Sequence, residues 1–171
     1  MPPPERERLF DGKTGAIGRA DIRAERPREA DLLADVDRQL AALGFRPVGD
    51  LVCARFPDIL GRGYARAAGD TWGGLFFGLI ETSFDFVTQW DAAALLTTLN
   101  ARGTGDEPRK SLYVSRLPHL GFAKLGELLE QHAARRETLT ARFGAPIAVK
   151  PTLQAFAEAV DRGIARQLGK E

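Results

Sequence analysis

Residues 84–90, Phe84-Asp85-Phe86-Val87-Thr88-Gln89-Trp90, alternate with a period of two. In an extended chain Phe84, Phe86, Thr88 and Trp90 share one face, and Asp85, Val87 and Gln89 share the other. The preceding run, Trp72 to Ile80, is apolar on both faces, which predicts a strand near the centre of a sheet, and Glu81-Thr82-Ser83 is the expected reversal between the two. Beyond Trp90, Asp91 and three alanines turn the chain back into Leu95 to Asn100, rich in β-branched Thr. Connections this short join antiparallel neighbours, because a parallel pair needs about a dozen residues to cross over.

Working outward, Phe45 to Ala54 also alternates, Pro57-Asp58 reads as a turn, and Tyr64 to Ala68 and Ser111 to Arg116 supply two more strands. The sum is an antiparallel meander of five to six strands. Helical periodicity brackets it. Leu32, Leu33, Val36, Leu40 and Leu43 recur at three- and four-residue steps between Pro27 and Gly44. A second helix runs from Phe122 through Leu125, Leu128, Leu129, His132, Leu139 and Phe143 to the stop at Gly144. The last covers Pro151 to Leu168, with Leu153, Phe156, Val160, Ile164 and Leu168 on one face. The expected architecture is α+β, with the N-terminal helix and both C-terminal helices packed on one face of the sheet. Residues 1–26 carry only scattered apolar side chains (Leu9, Phe10, Ile17, Ile22) and read as a flexible or surface-laid arm, leaving 27–171 as a single domain.

Composition narrows function by exclusion. Of 171 residues, 24 are Lys or Arg and 23 Asp or Glu, a formal charge of +1 that gives no general attraction to nucleic acid or to an acidic membrane. The charge is unevenly spread: residues 31–100 hold five Arg against nine acids and residues 101–171 twelve basic groups against eight, polarity that suits a solvated surface or an acidic partner. The single cysteine, Cys53, lies in an alternating stretch and reads as an inert buried thiol. The prolines and charges of residues 1–8 are unlike the apolar core of a signal peptide, and the longest apolar run, Trp72 to Ile80, is under half of the ~20 residues that span a bilayer. Cytoplasmic location follows as the expectation.

Short motifs with chemical potential each meet a simpler reading. Gly12-Lys13-Thr14 imitates the end of a phosphate loop, but Glu7 stands where that loop needs its first glycine. Gly61, Gly63, Gly69, Gly73 and Gly74 lack dinucleotide spacing and fit turns and close strand packing. His119 and His132 have no ligand at one-turn spacing, so no metal and no cofactor is expected. Ser111 and Ser115 lie outside any nucleophile elbow, and Arg135, Arg136 and Arg142 with Lys124 lack the interleaved aromatics of a nucleic-acid platform. His132 stands apart, since it falls on the apolar stripe of its helix and needs a buried partner there, for which Thr98 and Asn100 are placed on one strand face.

Leu43-Gly44-Phe45, Gly49-Asp50, Leu96-Thr97-Thr98-Leu99-Asn100, and Glu127 with His132 on the following helix together resemble a group of small bacterial proteins of unknown function, over residues 30–140. The resemblance implies a cytosolic bacterial context and an α+β fold; it transfers no catalytic residue.

The functional expectation is a non-enzymatic ligand-binding or protein-interaction module, with His132, Asn100, Thr98 and Asp85 as the residues to line a pocket. One alternative is a small hydrolase or transferase using His132 with Asp85 or Glu81; another is a regulatory or immunity-type protein that binds a partner through its charged faces and N-terminal arm. The expected partners are a small molecule or another protein, and a second copy in a sheet-mediated homodimer suggested by the apolar third strand, with no nucleic acid and no membrane.

Overall fold

The structure is a computed structural model that describes residues 5–91, 94–102 and 111–169. Among the described residues it is α+β, with one mostly antiparallel sheet and four helices. The strands are β1 (Arg8–Gly12), β2 (Gly15–Ala20), β3 (Arg46–Cys53), β4 (Phe56–Ala65), β5 (Thr71–Phe77), β6 (Thr82–Trp90), β7 (Ala94–Leu99) and β8 (Leu112–Arg116), and they lie side by side in chain order. The helices are α1 (Ile22–Glu25), α2 (Ala30–Ala42), α3 (Leu125–Phe143) and α4 (Leu153–Leu168).

Among the described residues the sheet has eight strands, not the five to six expected, because residues 8–20 form a hairpin where an arm was anticipated. Local hydrophobicity does not hold that hairpin; tertiary contacts do. Ile17 is buried opposite Cys53 in register, and the β1–β2 turn donates backbone N–H groups of Lys13 and Thr14 to the Asp161 carboxylate of α4, each at 3.0 Å. The Thr14 hydroxyl adds a third bond at 2.6 Å. Gly12-Lys13-Thr14 therefore does grip an anion through its backbone, and the anion is the chain's own. A side chain at Gly12 would collide with that carboxylate at 2.2 Å.

A second difference is the last pair. β8 runs parallel to β7, in register from Leu95 with Leu112 to Leu99 with Arg116. The connection spans residues 100–111, long enough for the crossover a parallel pair requires. The strand expected at Tyr64 to Ala68 begins instead at Phe56, so Pro57-Asp58 lies within β4 and the turn is Ala54-Arg55.

The helices do not share one face. α2 and α3 cover the face made by Val52, Tyr64, Leu75, Phe77, Phe84 and Phe86, while α4 covers the other, against Leu51, Cys53 and Trp72. The chain changes sides through residues 144–152, where Ile147 N–H donates to the Gln89 carbonyl and Val149 N–H to the Gly69 carbonyl, each at 2.8 Å, beside the start of β5. Both faces of β5, whose apolarity prompted the homodimer expectation, are thus covered by the chain's own helices.

On the α2 side, Arg62 bridges Asp50 at 2.7 Å and Asp37 of α2 at 2.9 Å, and the Tyr64 hydroxyl donates to Asp37 at 2.6 Å. On the α4 side, the helix is tied to both margins of the sheet. Asp161 takes the β1–β2 turn, and Arg166, five residues on, donates to the Ser111 hydroxyl at the start of β8 at 2.8 Å. Eight strands laid flat would span about 34 Å, against a helix roughly 10–12 Å across, so the sheet must curve around α4 for one helix to reach both edges.

Asp161→Ala removes three charge-assisted hydrogen bonds and is expected to cost about 2–4 kcal/mol. Urea unfolding measures the loss, and amide exchange should rise first across residues 8–20. Gly12→Ala should show the same local exchange pattern, because its Cβ displaces the carboxylate.

Candidate functional site

Curvature leaves space under α4. The helix lies tight at its start, where a Cβ on Gly49 would sit 3.0 Å from Leu153 and one on Gly63 would sit 2.3 Å from Phe156. Toward its C-terminal half a cavity of about 340 Å³ opens between helix and sheet, lined by Trp72, Phe76, Val87 and Leu95 below and by Phe156 and Ile164 above. That volume lies in the range of ~300–1,000 Å³ typical of small-molecule sites.

Glycines shape its floor. The Phe76 ring passes 2.7 Å from where a Cβ on Gly61 would be and 2.6 Å from one on Gly74, so the ring lies across bare backbone instead of standing up into the space. On the helix side Gly163 lines the same cavity, and its missing side chain leaves that wall open.

The polar groups of the wall are few: Asp85, Thr97, Gln167 and the Cys53 thiol. Burial, reinforced by the negative charge of Asp161, pushes the Cys53 thiol up to about 11, so it stays protonated and unreactive. Asp85 is different. It projects from β6 opposite Gly74, with one carboxyl oxygen 2.6 Å from the position of a Gly74 Cβ, and makes no hydrogen bond or ion pair among the described residues. Burial alone pushes it up from its ordinary 3.8 to about 7.

The other sequence-selected residues lie elsewhere. His132 is wholly buried on the α2 and α3 side, between the Thr88 hydroxyl at 2.8 Å from Nε2 and the Thr98 hydroxyl at 2.9 Å from Nδ1. Burial, with the positive Arg136 nearby, lowers the ring to about 3, so it is the neutral imidazole, one nitrogen donating and the other accepting. Asn100 Oδ1 accepts from the Phe84 N–H at 2.8 Å, closing the end of the β6–β7 ladder. Glu81 is exposed in the β5–β6 turn, where Oε1 accepts from the Arg102 N–H at 2.9 Å. The structure therefore brings His132 and Thr98 together and leaves Asp85 on the opposite face, with the sheet between them. His132 and Asp85 do not form a catalytic pair.

Sequence reasoning missed the cavity's other lining residues, among them Gly61, Gly163 and Phe156. The available signal was partial: Asp85 and Val87 share a strand face, and Phe156, Val160 and Ile164 share a helix face, yet nothing local says that these two faces meet. Among the described residues no group of three His, Cys, Asp or Glu side chains is placed to hold a metal ion, and no helix is long and apolar enough to cross a membrane. Comparison with protein-family models, with curated proteins and with solved structures finds no match to this chain.

Asp85 and His132 give stability opposite slopes with pH. Asp85 holds its proton more tightly folded (about 7) than unfolded (3.8), so its contribution is greatest below pH 3.8 and is lost as pH rises to 7. His132 holds its proton less tightly folded (about 3) than unfolded (6.5), so stability is lost as pH falls below 6.5. Each slope is about 1.4 kcal/mol per pH unit. Asp85→Asn should accordingly gain on the parent chain steadily from about pH 4 to 7 and no further above about pH 8. His132→Leu should cost about 1–3 kcal/mol at neutral pH, by orphaning the Thr98 hydroxyl, and should flatten the acid limb. Urea titrations across that pH range measure both.

Proposed function

We propose that the chain is a binding module for a small amphiphile whose apolar body fills the cavity under α4 and whose donor group, best an amine, meets Asp85. The observation that carries this reading is a carboxyl without a partner in an otherwise apolar wall. A half-buried carboxyl without a partner costs free energy that an apolar side chain of similar size would not. The fully buried carboxylates among the described residues are matched, Asp50 by Arg62 and the Ile22 N–H, and Asp161 by the β1–β2 turn. An ammonium brought to Asp85 would return it to its ionised form and supply the missing bond.

Binding fits the geometry better than catalysis. General acid or base chemistry needs a second group within reach of the reacting atom, and the other titratable side chain lining the cavity is the unreactive Cys53 thiol. An alternative, in which the charged surface recruits a protein partner, would use the wider and more open hollow of about 1170 Å³ beside Asp11, Lys13, Glu158 and Arg162; its mixed charges select no one ligand chemistry, whereas a lone carboxyl in an apolar wall does.

Displacement of a fluorescent apolar probe by decylamine, decanol and decanoate tests the reading. Decylamine is expected to bind at least tenfold tighter than decanoate at pH 8, about 1.4 kcal/mol. Its affinity should rise as pH increases through 7, because Asp85 ionises there while the amine stays charged. Asp85→Asn should abolish the preference, and Gly163→Leu, whose side chain enters the cavity while its Cβ meets only Leu95 at 3.8 Å, should abolish binding of all three. Equal affinities in parent and Gly163→Leu would sink the idea.

A further inference from the structure

The β5–β6 connection is a tight turn, Gly78 to Glu81, closed by the Gly78 N–H donating to the Glu81 carbonyl at 3.0 Å. The two outer positions of such a turn are ordinarily held by Gly, Asn, Asp or Pro, whose polarity or backbone freedom suits water. Here they are Leu79, 76% exposed, and Ile80, 101% exposed. Folding gains nothing from either side chain, and a backbone that needs Gly78, where a Cβ would lie 2.9 Å from the Glu81 carbonyl oxygen, holds them pointing outward.

Their position matters more than their exposure. Phe56 and Ile59, each 38% exposed at the start of β4, line a shallow groove with Leu79 and Ile80 and also line the cavity under α4. One apolar track thus runs from the tip of the turn into the binding cavity. Leu168, at the end of α4 just past the cavity-lining Gln167, is the remaining exposed large apolar side chain among the described residues.

We propose that the Leu79-Ile80 turn is a docking tip for a lipid surface, through which the cavity takes up a membrane-dissolved amphiphile. The proposal rests on the binding-module reading for its ligand. Four side chains, two of them only partly exposed, offer at most a few hundred Å², well short of the ~800 Å² per partner of a stable protein interface. A bilayer needs no complementary shape and accepts a protruding apolar turn as it stands. The surrounding charges are mixed, with Arg55 and Arg102 beside Asp58 and Glu81, so docking requires no anionic lipid. This departs from the expectation of no membrane partner, which was drawn from net charge; net charge does not report a local apolar tip.

The test is co-sedimentation of the full chain with phosphatidylcholine vesicles, paired with uptake of an alkylamine-linked fluorophore from those vesicles and from free solution. The parent chain is expected to partition onto vesicles with little dependence on salt. The double variant Leu79→Ser with Ile80→Ser should partition at least tenfold less and take up the probe from vesicles at least tenfold more slowly. Its affinity for the probe in free solution and its thermal midpoint should be unchanged. A parent chain that stays in the supernatant overturns the proposal, as does a parent chain that self-associates by light scattering through the same two residues. Gly163→Leu separates the two readings: if it binds the free probe like the parent while the tip variant still loses vesicle binding, the cavity assignment falls and docking stands.

Discussion

The three hydrogen bonds that Asp161 accepts from the β1–β2 turn hold the N-terminal edge of the sheet against a helix near the other end of the chain. Without that clasp the first two strands have little of their own to bury, since their apolar residues are few and β1 shows no fully buried side chain. With it, and with Arg166 reaching the start of β8, a single helix must touch both margins of an eight-stranded sheet. The sheet can meet that demand only by curving, and a curved sheet around a straight helix touches it closely along part of its length and leaves a gap along the rest. The cavity is therefore a geometric consequence of the clasp.

The two faces of the sheet, built from alternating residues of the same strands, contrast sharply. The α2 and α3 side is closed: Phe84 packs edge-on to Phe86 with ring centroids 5.0 Å apart, Phe86 meets Phe45 at 5.6 Å, and Arg62 and His132 each lie between two partners. The α4 side is closed only where Leu153 and Phe156 seat against glycines. Where the helix diverges, the side chains that would fill the gap are absent at Gly61, Gly74 and Gly163. Asp85 and His132, on opposite sides of β6, show the difference: burial keeps the histidine neutral between two hydroxyls, and the half-buried carboxyl has no partner among the described residues.

Much of this was legible in the sequence, and what was not has identifiable causes. The period of two from Phe45 to Cys53 and from Phe84 to Trp90, and the helical stripes of α2, α3 and α4, are local signals and gave the α+β class directly. The hairpin at residues 8–20 was missed because its anchor, Asp161, is 147 residues away from Thr14. Pro57-Asp58 mimics a turn, but the register carries Pro57 past the end of β5, so its absent N–H leaves no ladder bond unmade. The amphipathic stripe of α4 says that one side is buried without saying on which face of the sheet. That is decided by the short segment 144–152, whose backbone bonds to Gln89 and Gly69 are tertiary. The His132 and Thr98 contact was within reach of periodicity, as was Asp85 sharing a face with Val87; the convergence of Asp85 with α4 was not.

Three features of this chain run against its own stability: glycines where a core would be filled, a half-buried carboxyl without a partner, and leucine and isoleucine at the crest of a turn. Sequences that fold to one structure tend to be consistent at every level, and the places where that consistency breaks are where function is to be sought. Were the three scattered, each would pass as an isolated imperfection. They are connected, because Phe56 and Ile59 belong both to the groove below the turn and to the cavity that Asp85 and Gly163 line. The closed face, on the other side of the same strands, pairs Arg62 with Asp50 and Asp37 and interlocks its aromatic side chains, and leaves Arg66 Nε buried over the Phe45 ring without a hydrogen-bond partner among the described residues. A stable fold alone gives no reason for these three departures to adjoin one another, and their adjacency is what supports the proposal of a ligand received on the open face.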